Sequence, residues 1–153
     1  MYAHWIVNLV VVLATAITVA LTVQIHYEGL RWMSMRLGRK PAPKRGKVLM
    51  GAYGVILLHV VEIWLFGVTY TLLLRLPGAG HVSGSVDGFL DDIYLSAVTF
   101  STVGFGDVAP VGAIRFLAGT ESLVGFILIT WSASFLYLEM QQFWSAKRGQ
   151  SPF

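Results

Sequence analysis

The stretch FSTVGFGDVAP, residues 100–110, decides how the rest of this sequence is interpreted. It lies between two long apolar segments, yet its glycines, threonine, aspartate and proline are poor material for a membrane helix. Irregular backbone at membrane depth is tolerated only where protein buries it or where it lines a water-filled path. The stretch therefore predicts a re-entrant loop that lines an aqueous pathway.

The composition of the chain indicates a membrane protein. Of its 153 residues, 56% are hydrophobic and 12% are charged, whereas soluble domains carry about 25% charged residues. Cysteine is absent, which excludes a disulfide framework and a thiolate metal site. The sequence has no HExxH motif, no phosphate loop and no nucleophile with an evident base, so we predict no enzyme activity and no cofactor.

Three stretches are apolar and long enough to cross a bilayer core of about 30 Å, which takes about 20 helical residues. They cover residues 5–25, 48–74 and about 112–138. We interpret the first as a retained helix, because no Lys or Arg precedes Trp5 and the apolar run is too long for a signal peptide.

Residues 31–47, between the first two spans, are strongly basic and include no acidic residue. It carries Arg31, Arg36, Arg39, Lys40, Lys44, Arg45 and Lys47. Because short loops rich in Lys and Arg stay cytoplasmic, we predict a multi-pass protein of the plasma or inner membrane with its N-terminus outside and its C-terminus cytoplasmic. Anionic membrane lipid is a candidate partner of this linker, and we expect no nucleic-acid partner.

The segment FLDDIYLSAVTF, residues 89–100, has apolar residues at helical spacing and acidic residues near its start. About three helical turns are too short to cross a bilayer, so the chain must enter the membrane and return through the loop. Gly104 and Gly106 can adopt backbone angles that other residues avoid. Successive carbonyls can then face one axis and replace the water shell of a potassium-sized cation. One loop cannot close a ring, which predicts a homotetramer.

The motif STVGFGD resembles the signature of potassium channels, whose commonest form is TVGYGD. The order of helix, short helix, loop and helix over about residues 48–138 is similar to the pore module of that family. The whole chain resembles small bacterial ion-channel-domain proteins with one extra N-terminal helix. The resemblance implies that K⁺ is coordinated by the carbonyls of Thr102, Val103, Gly104 and Phe105 and by the Thr102 hydroxyl, while Gly106 and Asp107 close the outer end.

The predicted fold is all-α, with three transmembrane helices plus a re-entrant pore helix and filter loop in a potassium-channel-like homotetramer. We expect a first transmembrane helix over 1–30, a basic linker over 31–47, a pore domain over 48–140 and a cytoplasmic tail over 141–153. Within the pore domain we expect an outer helix over 48–75, an outer loop over 76–88, a pore helix over 89–101, a filter over 102–107 and an inner helix over 112–140.

Two departures from the family pattern affect the filter. Phe105 replaces the usual tyrosine, so its ring lacks the hydroxyl that often anchors the filter. Val98 stands where a bacterial relative carries a glutamate, and Tyr94 is the candidate replacement partner of Asp107. We expect Ser101 to support the filter as well.

Further polar and small residues within the spans are candidates for support or gating. We expect Glu121 to accept hydrogen bonds from Thr99 or Ser101 behind the filter, although it could instead face the cavity. Gly125 is either a gating hinge or a site of close helix packing. His59 and Glu62 lie one turn apart on one helix face and form either a pH-sensitive pair or a structural hydrogen-bonded pair.

These features favour a potassium-selective channel that conducts K⁺ passively. A membrane adaptor or sensor subunit that keeps a channel-like fold is the alternative. A subunit of a potassium-uptake transporter is less favoured, because such chains usually contain four filter-like repeats. The acidic residues Asp87, Asp91 and Asp92 either concentrate cations at the pore mouth or cap the short helix.

Overall fold

The computed structural model of this chain describes residues 2–39, 44–84 and 88–145. Within these ranges the chain forms four helices and one two-stranded sheet. Their order is α1 Tyr2–Arg39, α2 Lys44–Leu74, β1 His81–Ser83, α3 Phe89–Phe100, β2 Ala109–Val111 and α4 Arg115–Ser145.

Three of these helices contain spans that are long and apolar enough to cross a membrane: Trp5–Gly38, Gly46–Leu74 and Arg115–Gln141. Helix α3 has 12 residues, which at 1.5 Å per residue extends only about 18 Å and cannot cross the hydrocarbon core. The predicted fold class, an all-α multi-pass membrane protein with one short additional helix, is confirmed.

The helices differ in length from the predicted boundaries. Helix α1 continues to Arg39, so residues 31–39 of the expected linker are helical. Arginine, leucine and methionine are good helix formers, and positive charge on a helix does not break it. Helix α4 begins at Arg115, later than the expected residue 112, and continues to Ser145, beyond the expected residue 140.

Parts of the predicted linker, outer loop and tail lie outside the described residues. These parts are residues 40–43, residues 85–87, which include Asp87, and residues 146–153.

Helix α3 lies between α2 and α4, and α1 packs against both of these long helices. The main core forms where α2, α3 and α4 meet, around Phe66, Tyr70, Leu95, Phe100 and Leu117, which are all at most 1% exposed. The core therefore holds the short helix from two sides, which positions the loop that follows it.

A short antiparallel sheet joins the segment before α3 to the segment between the loop and α4. Its register pairs His81 with Val111 and Ser83 with Ala109, which ties the connection after α2 to the residues after the loop. The outer loop expected over 76–88 thus contains strand β1. A three-residue strand is too short to show an alternating pattern in the sequence. The pairing holds the far end of the loop against the connection after α2.

One face of α1 carries three threonines at helical spacing and is buried against other helices. Thr15, Thr18 and Thr22 are at most 5% exposed. The hydroxyl oxygens of Thr18 and Thr69 lie 3.0 Å apart, which joins α1 to α2.

Candidate ion-conduction site

Helix α3 is anchored at its start by two carboxylates. The Asp91 side chain accepts a hydrogen bond from the backbone N–H of Gly88 at 3.1 Å. The Thr71 hydroxyl of α2 donates to Asp92 at 2.6 Å. Negative charge in the first turn also suits the helix dipole. Both aspartates therefore have structural partners, whatever their effect on cations nearby.

The chain turns back directly from the end of α3. The N–H of Thr102 donates to the carbonyl of Thr99 at 3.0 Å, and the N–H of Gly104 donates to the carbonyl of Val98 at 3.1 Å. The Ser101 hydroxyl donates to the carbonyl of Ala97 at 2.7 Å. Ser101 therefore stabilises the end of its own helix.

The backbone φ angle of the loop alternates in sign from one residue to the next. Thr102, Gly104 and Gly106 have φ values of 60°, 50° and 82°, whereas φ is negative at Val103 and Phe105. Positive φ is uncommon for a non-glycine residue such as threonine. Alternation of this kind allows successive carbonyls to lie on one side of the strand, the arrangement that carbonyl coordination of a cation requires.

The far end of the loop is held by a tyrosine–aspartate hydrogen bond. The Tyr94 hydroxyl donates to Asp107 Oδ2 at 2.7 Å, and the N–H of Val108 donates to Asp107 Oδ1 at 3.1 Å. The Asp107 carboxylate raises the pKa of Tyr94 above its ordinary value, because it accepts the phenolic hydrogen. The structure thus pairs Asp107 with the residue that the sequence proposed for it.

The loop leaves large apolar side chains uncovered in the single chain. Val103 and Phe105 are 58% and 71% exposed, whereas Val98, on the helix behind them, is 7% exposed. Exposed apolar patches mark interaction surfaces. One side of the loop therefore lies against its own α3, and the apolar side chains on the other side are uncovered in the single chain.

Glu121 lies at the junction of three helices. Its carboxyl group is fully buried. Its Oε1 lies 2.5 Å from the Ser96 hydroxyl oxygen of α3, and its Oε2 accepts a hydrogen bond from the Tyr70 hydroxyl of α2 at 2.7 Å. These partners differ from the expected Thr99 or Ser101, because Ser96 lies on the face of α3 that packs on α4. Glu121 therefore supports the body of the short helix and makes no contact with the loop in this network.

The hydrogen count of this network points to a neutral carboxyl group. Ser96 Oγ lies 2.8 Å from the carbonyl oxygen of Ile63 and 2.5 Å from Glu121 Oε1, but a hydroxyl has one hydrogen to donate. If Glu121 carries a proton on Oε1, it donates to Ser96, which donates to Ile63, and Tyr70 donates to Oε2. Every hydrogen then has an acceptor and no charge is buried.

Replacing Glu121 tests this network. We expect Glu121→Gln to change the free energy of unfolding by less than about 1 kcal/mol, because the amide donates to Ser96 and accepts from Tyr70. Glu121→Ala removes one buried hydrogen-bond partner from the Tyr70 hydroxyl and one from the Ser96 hydroxyl, and we expect it to destabilise the protein by more than about 1 kcal/mol for each. Denaturant or thermal unfolding of the purified protein measures both. Equal destabilisation by the two variants would show that the ionised carboxylate is required.

Gly125 of α4 packs directly against the end of α3. A Cβ atom at this position would overlap the carbonyl group of Phe100, the last residue of α3. Helix α4 runs without interruption through this position. The structure thus gives Gly125 a packing role at the root of the loop, while a hinge function stays a prediction.

The variant Gly125→Ala should destabilise the protein. The added methyl group must displace backbone, and overpacking of this kind costs about 1–3 kcal/mol or more. Gly119→Ala is the matched control on the same helix, because nothing lies within 4 Å of its added Cβ; we expect it to be neutral or slightly stabilising. Thermal unfolding compares the two, and equal melting temperatures would contradict the packing role.

The pair His59 and Glu62 is part of a larger cluster. His59 Nδ1 lies 2.8 Å from Glu62 Oε2, and His26 Nδ1 of α1 lies 2.8 Å from Glu62 Oε1. His26 was not among the residues predicted from the sequence. The sequence could have indicated it, because Thr22 precedes His26 by one helical turn and therefore places the histidine on the buried threonine face of α1.

The family model described as "Ion channel" matches residues 58–142, more than half of the chain. This chain belongs to the ion channel family. The matched segment contains the second half of α2, all of α3, the loop and most of α4, which are the elements that build the site.

Two relatives with sequence similarity carry the name Protein LctB. The protein from Geobacillus stearothermophilus is 35% identical over 82 residues, which cover 53% of this chain and 61% of the relative. The protein from Bacillus caldotenax is 50% identical over 38 residues, which cover 25% of this chain and 28% of the relative. The chain thus spans less than two thirds of these relatives. No solved structure matches it.

Proposed function

We propose that this chain forms a homotetrameric channel that conducts K⁺ selectively and passively across the membrane. The observation that carries the proposal is the loop of residues 102–107, whose φ angles alternate in sign in a chain of the ion channel family. A non-helical segment of this kind at membrane depth needs water or protein around it. A row of carbonyls around a narrow aqueous path meets that need and coordinates a dehydrated cation.

Four copies are needed to surround the ion. A single loop supplies one wall, and potassium filters combine four such loops. The 71% exposure of Phe105 and the 58% exposure of Val103 support this arrangement, because neighbouring copies around a fourfold axis would cover both side chains. Burial of apolar surface contributes about 25 cal/mol per Å², so covering four phenylalanines favours assembly.

We assign the coordinating groups to the backbone of the loop. The carbonyl oxygens of Thr102, Val103, Gly104 and Phe105, with the Thr102 hydroxyl, would bind K⁺ as the permeant ion. Gly106 and Asp107 would close the outer end, where Tyr94 holds the Asp107 carboxylate. Catalysis has no role in this proposal, and passage follows the electrochemical gradient.

The proposed orientation places the loop on the outer side of the cell membrane. The basic residues around 31–47 would then remain in the cytoplasm. Anionic lipid headgroups are the natural partners of this basic region, because membranes attract juxtamembrane Lys and Arg.

The variant Gly104→Ala tests the filter. Gly104 has φ 50°, and holding an alanine in this left-handed conformation costs about 1–2 kcal/mol of conformational free energy per residue, or about 4–8 kcal/mol over four copies. We expect the potassium flux into liposomes to fall by at least about 100-fold. Gly38→Ala is the matched control, because its Cβ meets nothing within 4 Å and its helical backbone accepts alanine; it should leave the flux unchanged.

Flux in potassium gradients is compared with flux in sodium gradients for the wild-type protein. Selective potassium flux that Gly104→Ala removes supports the proposal. A stable tetramer without flux of either cation would favour the adaptor function, and equal potassium and sodium fluxes would contradict selectivity.

A further inference from the structure

A buried cluster between α1 and α2 contains none of the residues assigned to the filter. It consists of His26, His59 and Glu62, of which His26 and Glu62 are fully buried. We propose that this cluster is a binding site for one divalent transition-metal ion per chain, with Zn²⁺ as the ion that fits its ligands best. The proposal does not depend on which cation the channel conducts.

The ligand set is one that zinc uses in proteins. Two imidazoles and one carboxylate, with a water in the fourth position, form a common tetrahedral zinc site. The candidate ligand atoms of the three residues all lie within 4.8 Å of one another. Ligands about 2.0–2.2 Å from a tetrahedral ion lie about 3.4 Å apart, so small side-chain movements complete the geometry.

The helices present these ligands in a way that favours a bundle metal site. His59 and Glu62 occupy positions i and i+3 of α2 and therefore share one face. His26 approaches from the facing helix α1. Metal sites in helical bundles are built in this manner, from paired ligands at positions i and i+3 together with ligands from facing helices. An ion here would be held by two helices at once.

The surroundings of His26 suit a histidine that binds metal through Nδ1. Such a histidine carries its hydrogen on Nε2 and usually donates it to a nearby polar group. Ser132 Oγ of α4 lies 3.5 Å from His26 Nε2. Aromatic rings enclose the cluster, since Trp131 lies 5.3 Å from the His26 ring and Phe100 lies 5.7 Å from the His59 ring.

A buried hydroxyl beside the cluster lacks a partner. Thr22 Oγ1 makes no hydrogen bond within the described part of the chain, and Thr22 is fully buried one turn from His26 on the same face of α1. Buried polar groups without partners are rare. A water in the fourth position of the metal would supply a partner for this hydroxyl.

Metal binding would connect the first helix to the channel domain. His59 and Glu62 lie within the matched segment 58–142, whereas His26 lies outside it. The ion would thus hold α1 against the matched segment at the level of Phe100, whose ring lies 5.7 Å from the His59 ring. Binding of the ion would therefore affect the position of Phe100, after which the loop begins.

The test uses the purified full-length protein in detergent. The protein is freed of metal with a chelator and titrated with Co²⁺, whose visible absorption reports tetrahedral coordination, followed by competition with Zn²⁺. Plasma mass spectrometry counts the ions. We expect one ion per chain, and X-ray absorption of the zinc form should give nitrogen and oxygen ligands at about 2.0–2.2 Å.

Variants assign the site to these residues. Glu62→Gln, His26→Ala and His59→Ala should each weaken binding by more than about 100-fold, because changes outside the ligand shell alone cost about 10–100-fold. Ser132→Ala should cost about 10-fold. His81→Ala is the control, because His81 is exposed on β1 and should bind like the wild type. Circular dichroism and elution volume verify that each variant is folded.

The Co²⁺ and X-ray absorption spectra of the wild-type protein keep the test independent of any variant that fails to fold. A folded wild-type protein that takes up no stoichiometric ion would overturn the proposal. Binding that survives in folded Glu62→Gln, or that is lost equally in His81→Ala, would overturn it as well. The cluster would then only join α1 to α2 through hydrogen bonds.

Discussion

The structure depends on one constraint, which is that hydrocarbon offers no hydrogen bonds to an irregular backbone. The short loop after α3 breaks the helical pattern between two spans, so its polar groups require partners that the bilayer does not supply. Three features of the chain meet part of this need. The N–H groups of Thr102 and Gly104 bond to the end of α3, Asp107 bonds to Tyr94, and the β1–β2 pairing secures the segment that follows.

Two buried glutamates organise the helices around this loop. Glu121 joins α4 to α2 and α3 through Tyr70 and Ser96, and Glu62 joins α2 to α1 through His26. Ionisable groups within a membrane are costly unless they are fully paired. Because each carboxyl group requires two partners from particular helices, each sets the height and rotation of those helices more strictly than apolar packing does.

The end of α3 is where these arrangements meet. Gly125 lets α4 approach the backbone of Phe100 closely, and the Phe100 ring contacts His59 of the buried cluster. A shift of α4 or α1 would therefore act on the residue from which the loop begins. Close packing of this kind transmits small displacements, because a dense interior does not deform continuously.

The sequence by itself determined the number of spans, the short helix α3 and the position of the loop. The length of an apolar segment and the backbone freedom of glycine are local properties of the sequence. The resemblance to the potassium-channel signature also indicated the Tyr94–Asp107 pair, because Val98 stands where a relative carries a glutamate. Only the tertiary structure decided that Glu121 bonds to Ser96 and Tyr70, that His26 joins Glu62, and that residues 81–83 pair with residues 109–111. Helical spacing gives the face on which a residue lies, but the partner on that face depends on how neighbouring helices are rotated and offset. That information is shared among segments far apart in the chain, and no single segment contains it.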